Sequence, residues 1–193
     1  MKTICVYAGS AKGKEVSYSN SAKNLGYRIV EEGYGMVYGG GSRGLMGVTA
    51  DAVIEKKGKV TGIITEQLEN IEVGHKDLTT LEVVKTMHQR KARMAELSDA
   101  IVSLPGGVGT WEEFYEALAW NQLGFYSKPI VLFNTKGYYD DLYKFTMRGV
   151  EDGFLPEKTF EDLYLSDDID EIFTIIKNFQ KKDGDNWVER LER

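Results

Sequence analysis

The chain has 193 residues, with 24 Lys and Arg against 30 Asp and Glu, so its net charge is −6. With 42% hydrophobic and 28% charged residues, the composition is that of a globular protein rather than a disordered or fibrous one. The acidic balance argues against nucleic acid and anionic lipid as partners, because both require clustered positive charge. No apolar run approaches the roughly 20 residues that span a bilayer.

Two scarce residue types narrow the chemistry further. Cys5 is the only cysteine, which excludes an intramolecular disulfide and a cysteine-based zinc site. His75 and His88 are the only histidines, and no His-Glu-x-x-His spacing exists, so a catalytic zinc site is not expected. These counts predict no metal site. We also expect no cofactor. The apolar stretch before Gly9 is too short for a signal peptide, which predicts a cytoplasmic protein.

Short apolar runs alternate with segments of helical periodicity along the chain. Strands are predicted at Ile4–Ala8, Met36–Tyr38, Val60–Ile64, Leu81–Val84, Ala100–Leu104 and Ile130–Phe133. Helices are predicted at Ser19–Glu32, Leu45–Lys57, Met87–Leu97, Thr110–Leu123, Tyr139–Glu151 and Ile169–Phe179. This alternation indicates an α/β fold, a Rossmann-like, doubly wound and mostly parallel sheet with helices on both faces. No linker is visible, so we expect a single domain over residues 1–180 and a polar C-terminal tail over 181–193.

Four segments follow predicted strands at the edge where such folds bind ligands. They are Gly9-Ser10, Gly39–Gly47, the loop before Met87, and Pro105–Thr110. Gly39–Gly47 is rich in glycine but is not a dinucleotide-binding motif. That motif is expected after the first strand, together with an acidic residue at the end of the second strand. A Gly-x-x-x-x-Gly-Lys-Ser/Thr loop is absent as well, so neither common nucleotide code is present.

The segment Pro105–Thr110 lies between a strand and a helix start. A glycine-rich turn there leaves backbone N–H groups facing outward, and the helix dipole adds partial positive charge. Thr110 could cap the helix or hydrogen-bond an anion. We favour an anion or phosphate site over a tight structural turn, because three glycines in four residues exceed what a turn needs.

The helix that begins at Met87 carries the densest basic cluster of the chain, Arg90, Lys91 and Arg93. Arg90 falls inside the apolar stripe of this helix, beside Met94. Its guanidinium therefore needs an anionic partner, which could be a ligand or a structural carboxylate, unless the side chain reaches solvent. In a chain of net negative charge, such a cluster favours a small anionic ligand over a polymer.

Glutamates lie near the start of the predicted helix that follows the loop Pro105–Thr110. An acidic first turn is favoured by the helix dipole alone. Glu113 nevertheless shares a face with Ala117 and Trp120, whereas Glu112 points away. A carboxylate between an anion loop and an apolar wall suits acid–base chemistry or the binding of ribose hydroxyls, and the pattern leaves both interpretations open.

The segment Pro105–Glu113 matches the Pro-Gly-Gly-x-Gly-Thr-x-x-Glu signature of the LONELY GUY family, and Met87–Lys91 resembles the second motif of that family. Further similar segments follow the same order, at Cys5–Ser10, Gly39–Gly47 and Trp120–Gly124. The members are cytokinin riboside 5′-monophosphate phosphoribohydrolases, often mislabelled as lysine decarboxylases. A decarboxylase would need a Schiff-base lysine, and nothing in the sequence singles one out.

This resemblance implies a homodimeric, metal-free hydrolase that converts an adenosine monophosphate-type nucleotide to free base and ribose 5-phosphate. It implies that Arg90 and Glu113 are catalytic and that Gly107–Thr110 hold the phosphate. The full set of implied substrate-binding residues is Gly9, Ser10, Gly40, Gly41, Glu72, Met87, His88, Lys91, Gly106, Gly107, Val108, Gly109, Thr110 and Glu112. Aromatic residues on predicted helices, Trp111, Trp120 and Tyr139, offer surface for the dimer.

Two other functions stay open. A nucleotide-binding carrier or regulator would keep the glycine loops and have no need of Glu113. A general nucleoside monophosphate glycosidase would accept ordinary nucleotides such as AMP. Ala119 stands where plant members of the family tend to carry threonine, so the sequence does not fix the preferred base.

Overall fold

The computed structural model describes residues 1–72 and 74–181, apart from the side chains of residues 70–72. The strands are β1 (Thr3–Tyr7), β2 (Gly35–Tyr38), β3 (Val60–Thr65), β4 (Thr80–Val84), β5 (Ala100–Ser103), β6 (Ile130–Phe133) and β7 (Leu163–Ser166). The α-helices are α1 (Val16–Glu31), α2 (Gly44–Glu55), α3 (Glu66–Glu72), α4 (Met87–Glu96), α5 (Val108–Gln122), α6 (Asp140–Glu151) and α7 (Ile169–Asn178). Two short 3-10 helices span Thr135–Gly137 and Glu157–Phe160.

All seven strands form one parallel sheet in the order β4-β3-β2-β1-β5-β6-β7. Helices cover both faces, since each face of the sheet carries its own apolar cluster. One cluster includes Leu25 of α1 and Phe173 of α7, and the other includes Met94 of α4 and Phe114 of α5. This arrangement confirms the predicted α/β, doubly wound fold. Every residue of β2, β5 and β6 is buried, which explains their short unbroken apolar runs.

One strand and one α-helix were not predicted, nor were the two short 3-10 helices. Strand β7 has four residues, pairs with β6 from Ile130↔Leu163 onwards, and is too short at the sheet edge to show a pattern. Helix α3 has seven mostly polar residues and no apolar stripe. Of the predicted polar tail, only Lys181 lies within the described residues, so the division at residue 180 stays a prediction. No helix in the described part of the chain is long and apolar enough to cross a bilayer.

The order of the strands reverses between β1 and β5, because the chain returns from β4 through α4 to β5 on the other side of β1. Loops that follow these two central strands are therefore neighbours. The Gly9 N–H donates to the carbonyl of Pro105 at 3.1 Å, and the Gly9 carbonyl accepts from Leu45 N–H at 2.9 Å. Ligands of open α/β sheets bind at such a reversal point, and here three of the four predicted segments meet.

Candidate functional site

Glycines let the two central loops touch without side chains between them. A Cβ on Gly106 would lie 2.8 Å from the nitrogen of Gly9 and 2.1 Å from Oγ1 of Thr110. A Cβ on Gly9 would lie 3.0 Å from the Cα of Gly106. The loops after β1 and β5 therefore form one continuous surface of main chain, which a small ligand can approach closely.

The N–H groups at the start of α2, next to the glycine-rich segment after β2, are already bonded to another loop of the protein. The N–H groups of Leu45 and Met46 in the first turn of α2 donate to the carbonyl of Gly9, at 2.9 and 3.4 Å. Gly44 has φ +63°, and a Cβ there would lie 2.2 Å from the carbonyl carbon of Ser10. The start of α2 thus supports the loop after β1 and is not itself an open anion site.

The start of α5 is open. Its N-cap is Gly107, which has no side chain to cap the helix, and Trp111 is the first residue whose N–H bonds back, to Gly107 O at 3.1 Å. The N–H groups of residues 108–110 therefore have no partner within the helix. A Cβ on Gly107 or Gly109 would meet nothing within 4 Å, and Val108 is 73% exposed. This cluster of donors at a positive helix end matches the predicted anion loop.

One detail of that prediction is wrong. Thr110 cannot be the N-cap of α5, because the helix begins at Val108 and Thr110 is its third residue. The capping position is taken by a glycine. The side chain of Thr110 is buried against Gly106 instead.

Arg90 lies almost fully buried at the centre of the site. Helix α4 begins in a capping box between Thr86 and Gln89, which fixes its first turn. From the next position, Arg90 Nε donates to the carbonyl of Ile63 at 3.0 Å, and Nη1 donates to Oε1 of Glu113 at 2.9 Å. A Cβ on Gly39 would lie 1.8 Å from Nη2, so the guanidinium rests on the bare backbone after β2.

Glu113 therefore pairs with the arginine that the sequence places in an apolar stripe. Its side chain is only 12% exposed. Burial raises the pKa of the Glu113 carboxyl above its ordinary value, while the charge of Arg90 opposes that shift. Removing one partner from such a buried pair typically costs about 3–5 kcal/mol, because the other charge is left uncompensated. Stability alone does not explain such a pair at a ligand edge.

The rest of the basic cluster also has carboxylate partners. The contacts are Lys91 with Glu112 and Glu116 at 2.5 and 2.8 Å, and Arg93 with Glu82 and Glu96 at 3.0 and 2.7 Å. The cluster is thus neutralised by side chains of this protein. It does not form the free patch of positive charge for a small anion that the sequence suggested, which leaves the open backbone N–H groups of α5 as the candidate anion site.

The remaining predicted site residues lie around this centre. Met87 is 43% exposed and His88 is exposed, both in the first turn of α4, and Ser10 is exposed beside the loop of Gly9. Gly40 and Gly41 are buried after β2. The side chain of Glu72 lies outside the described residues.

Sequence reasoning missed two groups that fix the site. His75 donates its backbone N–H to the carbonyl of Gly40 at 3.0 Å, and its Nε2 lies 2.9 Å from Oδ1 of Asp51. Tyr138 donates its hydroxyl to the carbonyl of Gly106. A single histidine or tyrosine in a loop carries no periodicity or motif, so the residues themselves offered no signal.

Within residues 1–72 and 74–181, no three His, Cys, Asp or Glu side chains form a cluster that could hold a metal ion. Cys5 is fully buried, and burial raises the pKa of its thiol far above the ordinary value. The thiol is therefore protonated and takes no part in the chemistry of this edge.

Comparison with known proteins gives two kinds of match. A family model described as "Possible lysine decarboxylase" matches residues 46–176. The cytokinin riboside 5′-monophosphate phosphoribohydrolase of Rhodococcoides fascians is 40% identical over 178 residues, covering 92% of this chain and 90% of that protein. The enzyme LOG1 of the same name from Arabidopsis thaliana is 45% identical over 154 residues, covering 80% of this chain and 72% of that protein.

Solved structures share the fold at lower identity. The structural genomics target TM1055 superposes with a TM-score of 0.73 at 23% identity, covering 93% of this chain and all of that one. The molybdenum cofactor carrier protein of Chlamydomonas reinhardtii superposes with a TM-score of 0.69 at 20% identity, covering 91% and 96%. At these identities the likeness concerns the fold alone. The matched family model and the relatives of about 40% identity establish that the chain belongs to the LONELY GUY family, as its two motifs predicted.

Proposed function

We propose that the protein hydrolyses the N-glycosidic bond of an adenosine monophosphate-type nucleotide, either a cytokinin riboside 5′-monophosphate or AMP, to free base and ribose 5-phosphate. The observation that carries this proposal is the buried pair of Arg90 and Glu113 beside the open start of α5. The curated relatives bear the name of this activity. The protein is accordingly an enzyme of the glycosidic hydrolase class.

Helix α5 supplies both ends of the proposed site. Glu113 follows the N-cap Gly107 by six residues, which is about 9 Å along a helix axis. Side chains of a helix tilt towards its N-terminus, so the carboxylate covers the turn nearer the loop. A 5′-phosphate on the N–H groups of residues 108–110 would place the attached ribose towards Glu113.

The chemistry follows from where charge develops. Breaking an N-glycosidic bond builds oxocarbenium-like positive charge on the ribose, as in glycoside hydrolysis. An ionised Glu113 stabilises that charge and positions the attacking water. Arg90 orients the carboxylate, and its positive charge opposes the rise in the pKa of Glu113 that burial causes. Binding of the remote phosphate supplies energy that orients the sugar.

The carrier alternative has one supporting observation, the fold shared with a molybdenum cofactor carrier. That fold serves several functions, so it does not separate a carrier from an enzyme. A carrier has no use for a buried carboxylate–guanidinium pair at the ligand edge, which is why we favour hydrolysis. A general nucleoside monophosphate glycosidase differs from the proposed enzyme only in base preference.

We further propose a homodimer. Trp111 is 38% exposed, and exposed Val108 and Met87 lie on the same ligand-binding edge. The sequence suggested that Tyr139 adds to such a surface. This is wrong, because Tyr139 is 1% exposed and belongs to the core. The cytoplasmic location stays a prediction.

Mass spectrometry of the products from a panel of nucleotides tests the function. The panel contains AMP, an N6-prenylated AMP, GMP and CMP, each alongside the nucleoside without phosphate. We expect free adenine-type base and ribose 5-phosphate from the first two, and poor turnover of every nucleoside. Equal turnover of adenosine and AMP would contradict the phosphate site, and no base release from any nucleotide would leave the carrier interpretation.

A further inference from the structure

Three consecutive carbonyls of the loop after β5 each accept a hydrogen bond from another part of the protein. The Leu104 carbonyl accepts from the hydroxyl of Tyr139 at 2.7 Å. The Pro105 carbonyl accepts from Gly9 N–H at 3.1 Å, and the Gly106 carbonyl accepts from the hydroxyl of Tyr138. Two of the three donors are thus neighbouring tyrosines from the segment between β6 and α6.

That segment is shaped to deliver the two hydroxyls. Lys136 and Gly137 both have left-handed backbone conformations, with φ of +58° and +71°. Asn134 then closes the turn, since its Oδ1 accepts from Tyr139 N–H at 2.8 Å and its Nδ2 donates to Asp140 Oδ1 at 2.7 Å. The backbone of this turn is strained at Lys136 but not at Gly137, since glycine adopts a positive φ freely, and such strain points to a group that the turn positions.

The two rings then diverge. Their centroids are 4.9 Å apart and their planes are nearly perpendicular, at 84°. Tyr139 points into the core, and Tyr138 lies at the surface with its ring edge-on to Tyr18 at 6.0 Å. Tyr139 thus contacts the loop from the core of the protein, and Tyr138 contacts it from the surface.

Carbonyl oxygens repel a bound anion, whereas N–H groups attract it. Without these three hydrogen bonds, the peptide units at 104–106 would be able to rotate and turn their carbonyls towards a ligand at the start of α5. Hydrogen bonds that hold these carbonyls inside the protein leave the N–H groups of residues 108–110 to face a ligand. We propose that Tyr138 and Tyr139 are positioning residues, whose hydroxyls hold the phosphate loop in its anion-binding conformation. This inference rests on the proposed function only in taking a sugar phosphate as the ligand.

The test removes one hydroxyl and measures binding of ribose 5-phosphate by calorimetry, because this product is not turned over. Tyr138→Phe is the primary variant, since its hydroxyl lies at the rim and its ring contacts stay. We expect the dissociation constant of ribose 5-phosphate to rise about five- to tenfold, the scale of one net hydrogen bond. The KM for AMP rises by a similar factor, while kcat changes less than KM.

Tyr115→Phe is the matched control. Its hydroxyl contacts Oγ1 of Thr146 at 3.0 Å, between α5 and α6 and away from the loop. This variant should bind ribose 5-phosphate like the unmodified protein. Tyr139→Phe should weaken binding as well, with a lower melting temperature because Leu104 then has a buried carbonyl without its donor.

The outcomes separate this inference from the proposed function. Ribose 5-phosphate binding that is unchanged in Tyr138→Phe, or absent in the unmodified protein, overturns the positioning role whether or not base is released. Weakened binding in Tyr138→Phe, with the Tyr115→Phe control intact, supports it even if no nucleotide is hydrolysed. In that case the hydrolase proposal fails while the phosphate loop remains.

Discussion

Nη1 of Arg90 lies 2.9 Å from Oε1 of Glu113, and this contact joins helices that follow strands on opposite sides of β1. Arg90 belongs to α4, which follows the edge strand β4, and Glu113 belongs to α5, which follows β5. The guanidinium passes over Gly39 at the end of β2 to make the contact. The pair therefore requires that α4 and α5 are already packed at the ends of β2 and β3, which suits a site that must be preorganised before substrate binds.

The first prediction concerns Gly39→Ala. The backbone of Gly39 is outside the left-handed region, so alanine is not strained there, but its Cβ would lie 1.8 Å from Nη2 of Arg90. Because the guanidinium is held by Ile63 and Glu113, it cannot move without breaking those bonds. We expect base release to fall at least ~100-fold and stability to fall by about 1–3 kcal/mol, the usual cost of overpacking.

A double-mutant cycle checks the cause. In an Arg90→Ala background the space beside residue 39 is empty, so Gly39→Ala should have little further effect on urea-induced unfolding. Equal costs of Gly39→Ala in both backgrounds would mean that the substitution acts through something other than Arg90.

The second prediction is a pH dependence. The pKa of Glu113 is raised in the folded protein above the ordinary 4.5, chiefly by burial. The folded state therefore binds this proton more tightly than the unfolded chain does, so the linked stability is present below pH 4.5 and is lost as the pH rises through the raised pKa. Comparing urea unfolding of the unmodified protein and Glu113→Gln at pH 7 and pH 4.5 measures it.

We expect the unmodified protein to gain stability relative to Glu113→Gln as the pH falls. The acidic limb of kcat/KM should likewise lie above pH 4.5, since catalysis needs the ionised carboxylate. A stability difference that stays constant over this range would show that the environment of Glu113 is not the one seen here.

Much of this site could be predicted from the sequence, and the limits have physical reasons. The anion loop was visible because glycines between a strand and a helix are a local signal, and Arg90 because it breaks an apolar stripe. The carboxylate that pairs with Arg90 could not be predicted, since the contact with Glu113 spans 23 positions and depends on how two helices cross the sheet. Strand β7 was missed because a four-residue edge strand has too little pattern.

The third prediction is that activity survives chelation. The proposed mechanism assigns charge stabilisation to Glu113 and phosphate binding to backbone N–H groups, so no step requires a metal ion. Base release from AMP in EDTA should equal that in buffer. Loss of turnover that one divalent metal restores would make the metal, and not the carboxylate, the centre of the chemistry.

The fourth prediction is the oligomeric state. We expect light scattering at micromolar concentration to give twice the 21.7 kDa mass of the chain. Trp111→Glu should weaken this association, because it puts a charge on the exposed apolar surface beside the site. A mass of one chain for the unmodified protein would refute the dimer.

The fifth prediction separates enzyme from carrier through Glu113→Gln. Glutamine keeps the size of the side chain and can still accept from Arg90, but it removes the negative charge. If the carboxylate stabilises the cationic transition state, turnover should fall at least ~100-fold, the scale of one preorganised electrostatic group. Affinity for ribose 5-phosphate should change far less, because the open N–H groups of α5 remain.

Glu82→Gln is the matched control, since Glu82 is also a glutamate that pairs with an arginine of α4, Arg93, at 3.0 Å. That contact lies outside the site, so Glu82→Gln should release base at the rate of the unmodified protein. The expected acidic first turn is wrong, because α5 begins at Val108 and Glu113 lies in its second turn. A Glu113 with no catalytic role would act on stability through its ion pair with Arg90, and its replacement by glutamine would leave turnover intact. Near-normal base release from Glu113→Gln would therefore assign the carboxylate to the fold, and loss of base release with ribose 5-phosphate still bound would assign it to the reaction.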